Sequence, residues 1–186
     1  MKQSKLKEPL SRLYFISRGY RKHPRLGLWA RVGEAQFVSA YGTPLKHNYN
    51  PAKRAKQKGR GYVAPTIRQF NGAKCHVLMG EIFYGERPVF IDEHGKPYFG
   101  YCHHLIEDPL DYRPENLLCW LTREEHTEAD RRRRILERMY GDLHQIDIAK
   151  LQWLQDPRQV DREYFDTFTL HQMANYNVSG DVFAGE

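Results

Sequence analysis

The sequence predicts an α+β fold: small antiparallel hairpins, then a strand, loop, strand and helix unit, then a partly helical C-terminal extension. Three observations carry this expectation. Short apolar runs alternate with turn residues through residues 34–104, and Asn71-Gly72 is a strong two-residue hairpin signal. Thr122-Arg123-Glu124-Glu125 fits the capping box, in which an N-cap hydroxyl and the third helical residue satisfy each other's backbone donors. Leu143 to Leu154 has a helical apolar pattern that stops before Pro157.

Taken in order, residues 1–32 are basic with little periodicity, and Leu10 to Ile16 reads as a short strand or a helical turn. Residues 34–46 read as a strand, a Gly turn and a second short strand. Lys46 to Arg60 reads as a polar basic loop. Tyr62 to Phe70 alternates as a strand, turns at Asn71-Gly72 and returns as Ala73 to Val77. His76 to Phe83 spaces its apolar residues for a short helix against the sheet. A second hairpin joins Val89–Asp92 to Tyr98–Cys102 through Glu93-His94-Gly95-Lys96, and its return strand ends at His103-His104. A polar loop leads to Asn116, which opens a strand from Leu117 to Leu121. The capping box then starts a helix that runs to about Tyr140 and ends near Gly141. The tail aromatics Tyr164, Phe165, Phe168 and Tyr176 show no decisive period. The chain thus divides into a basic N-terminal extension (1–33), a central domain (34–141) and a C-terminal extension (142–186).

Composition narrows the function classes. The 186 residues suffice for one modest domain with extensions, and 40% hydrophobic content with 13% aromatics points to a folded chain. No stretch approaches the ~20 apolar residues of a membrane span, so no membrane partner is expected. The basic start, Met1-Lys2-Gln3-Ser4-Lys5, is not followed by an apolar signal core. An intracellular, cytoplasmic location is therefore expected. Cys75, Cys102 and Cys119 form no CxxC pair, so neither a zinc ribbon nor a disulfide framework is indicated, and reduced thiols are expected. The net charge of +6 conceals an asymmetry. Residues 1–74 hold 17 Lys and Arg against two acids, Glu8 and Glu34, whereas the remainder holds 12 basic and 21 acidic residues. A basic half points to a polyanion partner, since phosphate attraction supplies much of nucleic-acid affinity. A solvated basic surface is the plainer alternative.

The chemistry concentrates around the His pair. Hydrolysis of a phosphodiester needs a base for water, a cation for the charge on phosphate and leaving oxygen, and fixed geometry. His104 is a candidate base because imidazole titrates near neutral pH. His103 and His126 are candidate metal ligands, and Asp130 projects from the same helix face as His126, as a third ligand or a solvated acid.

The segment from His103-His104 through Pro114-Glu115-Asn116-Leu117 and on to Leu121-Thr-Arg-Glu-Glu-His126 resembles the HNH endonucleases, the ββα-metal or His-Me finger family, and in particular its phage and intron-borne members of homing type. Lys74-Cys-His-Val-Leu-Met-Gly-Glu-Ile-Phe83 is similar to the segment preceding their motif, and Phe37-Val-Ser-Ala-Tyr-Gly42 to their leading hairpin. The resemblance covers roughly residues 34–134. It implies a ββα-metal unit and a metal-dependent DNA endonuclease, nicking or cutting both strands and leaving 5′-phosphate ends. It makes His104 the general base and His103 and His126 the ligands of one divalent ion, Mg²⁺ or Mn²⁺ with Zn²⁺ or Ni²⁺ as other candidates. Asn116 would brace the loop that orients His104. The step from Asn116 to His126 is ten residues where many phage members have nine. Glu125 would be the ligand at nine, but the capping box turns it back, so the additional residue is expected as a bulge in Leu117–Leu121.

Lys53, Arg54, Lys56, Lys58 and Arg60 in the basic loop, with Arg131 and Arg132 of the Arg131–Arg134 run, are candidate contacts to double-stranded DNA. For the arginine run the plain alternative is charge balance with Glu124, Glu128 and Glu137. His23, His47, His94, His144 and His171 read as structural or solvent-facing, His76 as a packing residue, and Trp120 as core. A nucleic-acid-binding or phage-packaging accessory of the same fold without turnover is the alternative function, and an RNA-cutting toxin a third.

Overall fold

The computed structural model of the protein describes residues 8–49 and 64–180. Lys53, Arg54, Lys56, Lys58 and Arg60 lie outside the described residues. The fold is mixed α+β, with small antiparallel sheets and helices. Helix α1 (Arg12–Ile16) leads into β1 (Tyr20–Lys22), β2 (Leu28–Arg31) and β3 (Val38–Ser39), one antiparallel sheet in that order. Leu28 pairs with Ser39, and Leu28 and Ala30 share a core with Phe37. The compositional boundary at residues 33 and 34 therefore runs through a sheet. The basic first segment is bound into the domain by apolar burial that charge composition does not register.

The Asn71-Gly72 hairpin is shorter than its alternation predicts. Only β4 (Thr66–Ile67) and β5 (Ala73–Lys74) pair, because Arg68–Phe70 coil into a 3-10 turn. Asn71 and Gly72 follow at φ 54° and 72°, the left-handed region these residue types tolerate. The chain then becomes helical at once as α2 (Cys75–Phe83). Buried Glu81 on α2 fastens the first sheet: it accepts from His23 Nε2 at 2.7 Å and from Arg25 at 2.9 Å, while His23 Nδ1 accepts the Arg25 and Leu26 amides.

The second hairpin also divides. Strands β6 (Val89–Ile91) and β7 (Pro97–Phe99) pair with each other, and β8 (Tyr101–His104) pairs instead with β9 (Leu117–Leu121). Gly100 separates them where a Cβ would stand 3.2 Å from the Trp120 backbone. The expected bulge is present: Tyr101 opposes Leu121 and Cys102 opposes Cys119, which leaves Trp120 over at φ 64°. It has a packing consequence. Leu117 and Cys119 face one core with α2, whereas Leu118 and Leu121, three residues apart, both face a second core. Strict alternation would have placed Leu121 on the opposite face.

That second core joins β9 to α3 (Arg123–Tyr140), α4 (Ile148–Gln155) and α5 (Arg162–Gly180) through Ala129, Leu136, Leu151, Leu154 and Phe165. Residues 142–172 are thus packed onto the central unit. The Thr122 side chain accepts the Glu125 amide at 3.2 Å and Glu125 accepts the Thr122 amide at 2.7 Å, so the capping box forms and Glu125 does turn back. No described helix is long and apolar enough to cross a membrane.

Candidate functional site

Strand β8 ends in the His pair, and strand geometry sends neighbouring side chains to opposite faces. His103 turns toward α3, where its ring meets that of His126 at 5.6 Å between centroids, nearly edge-on. His104 turns toward α2, where its ring meets His76 at 5.3 Å, also edge-on. His103, His104, His126 and His76 all line one open cleft of about 1080 Å³. His126 is in the first turn of α3, and the same face carries Asp130, Arg133, Arg134 and Glu137 along the cleft.

Asn116 is fully buried at the start of β9. Its Oδ1 accepts the Ile106 amide at 2.9 Å, and its Nδ2 donates to the carbonyl of Asp111 at 2.8 Å and of Ile106 at 3.3 Å. The amide group therefore closes the loop between β8 and β9 on itself. The Asp111 backbone also acts on the His104 ring, favouring its protonated form against the larger effect of burial. Asn116 and His104 thus both meet the backbone of Asp111.

Gln155 of α4 does similar work for His103. Its Nε2 donates to the Leu105 carbonyl at 3.0 Å, which fixes the amide orientation and aims Oε1 at His103 Nε2, also at 3.0 Å. An amide oxygen only accepts, so Nε2 carries the proton in the neutral ring and Nδ1 the lone pair. Burial holds these rings neutral. It pushes His103 down to about 3, against the opposing pull of Gln155, and His104 down to about 4, against the Asp111 backbone. Burial, with His104 close beside it, takes His76 down to about 3, and burial lowers His126. Neutral imidazole is the form that accepts a proton or binds a metal.

Asp130 lines the cleft, but its oxygens accept from Arg133 at 2.8 Å and Arg134 at 2.6 Å. Among the described residues, no three His, Cys, Asp or Glu side chains gather closely enough to hold a metal ion by themselves. The ring centroids of His103 and His126 are 5.6 Å apart. Imidazole nitrogens bind zinc-like ions at about 2 Å, so two rings sharing one stand with centroids about 5–6 Å apart.

The arginine run divides differently from its expectation. Arg132 is 1% exposed and donates to the Val160 carbonyl at 2.7 Å and to Glu128 at 2.9 Å. Arg131 is tied to Glu128 and Asp166 and lies over the Phe165 ring. The two arginines chosen from sequence thus hold α5 and its approach to α3, and Arg133 and Arg134 face the cleft. The helical turn decides this, because residues 129, 132 and 136 share the face that is packed against the second core.

Sequence reasoning missed Gln155, which nothing in the primary structure links to a residue 52 positions earlier. It also gave His76 a packing role only; its place at the head of a helix directly after the Asn-Gly turn was the available signal. Lys74 and Arg87, on the cleft wall with His76, carried no signal of their own. Comparison of the chain with protein-family models, with curated proteins and with solved structures finds no match.

Proposed function

We propose that the protein is a metal-dependent endonuclease of the HNH type, hydrolysing phosphodiester bonds of DNA. One observation carries the reading: His103, His104 and His126 open into a single cleft, and the Asp111 backbone that acts on His104 is held by Asn116. His104 takes a proton from the attacking water on its neutral ring. Asn116 keeps the Asp111 backbone still, which restricts rotation of the His104 ring and so orients its lone pair. His103 and His126 would hold one divalent ion, and Gln155 fixes the His103 tautomer, as outer-shell partners of metal ligands commonly do. When bound, that ion supplies charge neutralisation at the scissile phosphate and its leaving oxygen. Asp130, already shared between two guanidiniums, balances charge beside the ion rather than binding it directly. Lys74, Arg87 and Arg134 on the cleft wall are the residues available to the phosphodiester backbone, and the basic segment 1–74 attracts the polyanion at longer range.

A second reading, a DNA-binding accessory without turnover, draws support from the commitment of Asp130 to two arginines. Relaxation of supercoiled plasmid with Mg²⁺ or Mn²⁺ and an EDTA control separates the two. The endonuclease reading expects metal-dependent nicking that His104→Ala abolishes while plasmid binding by gel shift persists. Metal binding by calorimetry is expected to weaken in His126→Ala. Binding without nicking under every metal favours the accessory.

A further inference from the structure

Cys102 and Cys119 oppose each other in the β8–β9 register, and their Sγ atoms are 2.9 Å apart. Opposed residues of an antiparallel pair have Cα atoms about 4.5–5.5 Å apart, within the span that a disulfide bridges. The sulfur separation is also shorter than an ordinary nonbonded contact of about 3.5 Å. The two thiols differ in access. Cys102 is half-buried and lines the cleft beside His103, whereas Cys119 is 4% exposed behind it. The third cysteine, Cys75, is fully buried, and burial pushes its thiol up to about 12. One thiol therefore meets solutes, its partner waits within bonding reach, and the remaining cysteine is sealed in the first core.

We propose that Cys102 and Cys119 form a site of reversible covalent modification by peroxides, in which oxidation closes a disulfide across β8 and β9. The Cys102 thiolate attacks one oxygen of hydrogen peroxide, the O–O bond breaks, and Cys102 becomes a sulfenic acid as the other oxygen leaves as water. The Cys119 sulfur then attacks the Cys102 sulfur; the S–O bond breaks, and hydroxide leaves with the Cys119 proton as a second water. Two thiols have lost two electrons and two protons, and the peroxide has received them. A small thiol reverses the reaction by exchange. The bond fastens the two strands one residue before His103 and beside the Trp120 bulge.

The test uses the intact chain and needs no nuclease activity. The protein is treated with limiting hydrogen peroxide, denatured, alkylated and mapped by mass spectrometry. Titratable thiols are expected to fall from three to one. Intact mass should drop by two hydrogens, a peptide containing Cys102 should be linked to one containing Cys119, and Cys75 should be alkylated. Dithiothreitol should restore all three thiols. In Cys119→Ala, Cys102 should accumulate as sulfenic acid trapped by dimedone. Three thiols surviving the peroxide, a linkage involving Cys75, or overoxidation of Cys102 without a linked peptide each overturns the proposal. Mapping of the unmodified chain decides the matter even where the variant fails to fold.

Discussion

At the scale of single residues, the loop between β8 and β9 depends on one buried amide. Asn116 uses its acceptor and its donor group at once, toward Ile106 and Asp111. Removing it strands a buried amide and two carbonyls, each costing about 1–3 kcal/mol. Asn116→Leu is expected to lower the unfolding free energy by about 3 kcal/mol in urea titration. Asn116→Asp should cost more, since a carboxylate there faces the Ile106 and Asp111 carbonyls. If the Asp variant is as stable as wild type, the hydrogen-bond assignment is wrong.

The buried imidazoles add a pH dependence whose sign follows from their shifts. His76 and His103 at about 3 and His104 at about 4 are lower in the folded protein than the ordinary histidine value. The unfolded chain therefore binds more protons between about pH 6.5 and 4, and stability must fall as pH falls through that window. Each of the three contributes a slope of about 1 kcal/mol per pH unit in its steepest part. Urea midpoints measured from pH 7 to pH 4.5 should decline, and should decline less steeply in His76→Phe. A flat profile would show that these rings are hydrated and titrate normally.

At the scale of elements, the contact between α2 and β9 rests on the missing side chain of Gly80. A Cβ there would stand 2.9 Å from Cys119 Sγ and 3.0 Å from the Trp120 ring. Mid-helix Gly→Ala normally stabilises by up to about 1 kcal/mol. Here overpacking against the bulged strand should reverse the sign, with Gly80→Ala costing about 1–3 kcal/mol in thermal or urea unfolding. A stabilised variant would mean that α2 slides freely on the strand. The bulge itself holds Trp120 at φ 64°, an outlier for a bulky residue, and the ring's packing against the first core offsets that strain.

At the scale of the whole molecule, strands β8 and β9 are the shared wall of two cores, one built on α2 and one on α3 to α5. Neither core closes without β9, whose five residues contribute to both. Unfolding is therefore expected to be one cooperative transition. Near-ultraviolet and far-ultraviolet circular dichroism should trace the same urea curve, and two separated midpoints would show the cores to be independent. The candidate cleft lies along this wall, so its residues are drawn from α2, β8 and α3 together.

Local chemistry was legible in the sequence wherever neighbours along the chain decide the outcome. The capping box, the helix from Arg123 to Tyr140, the short helix after Asn71-Gly72 and the additional residue in β9 all depend on interactions within a few positions, so residue order determined them. The His pair at a strand end and His126 in the next helical turn were likewise readable from spacing. Tertiary structure alone decided which two arginines of the four face the cleft, that Gln155 sets the tautomer of His103, that His76 meets His104, and that Tyr20–Lys22 and Leu28–Arg31 of the basic N-terminal segment belong to the first sheet. These outcomes depend on burial and on partners many residues away, and neither charge counts nor periodicity carries that information.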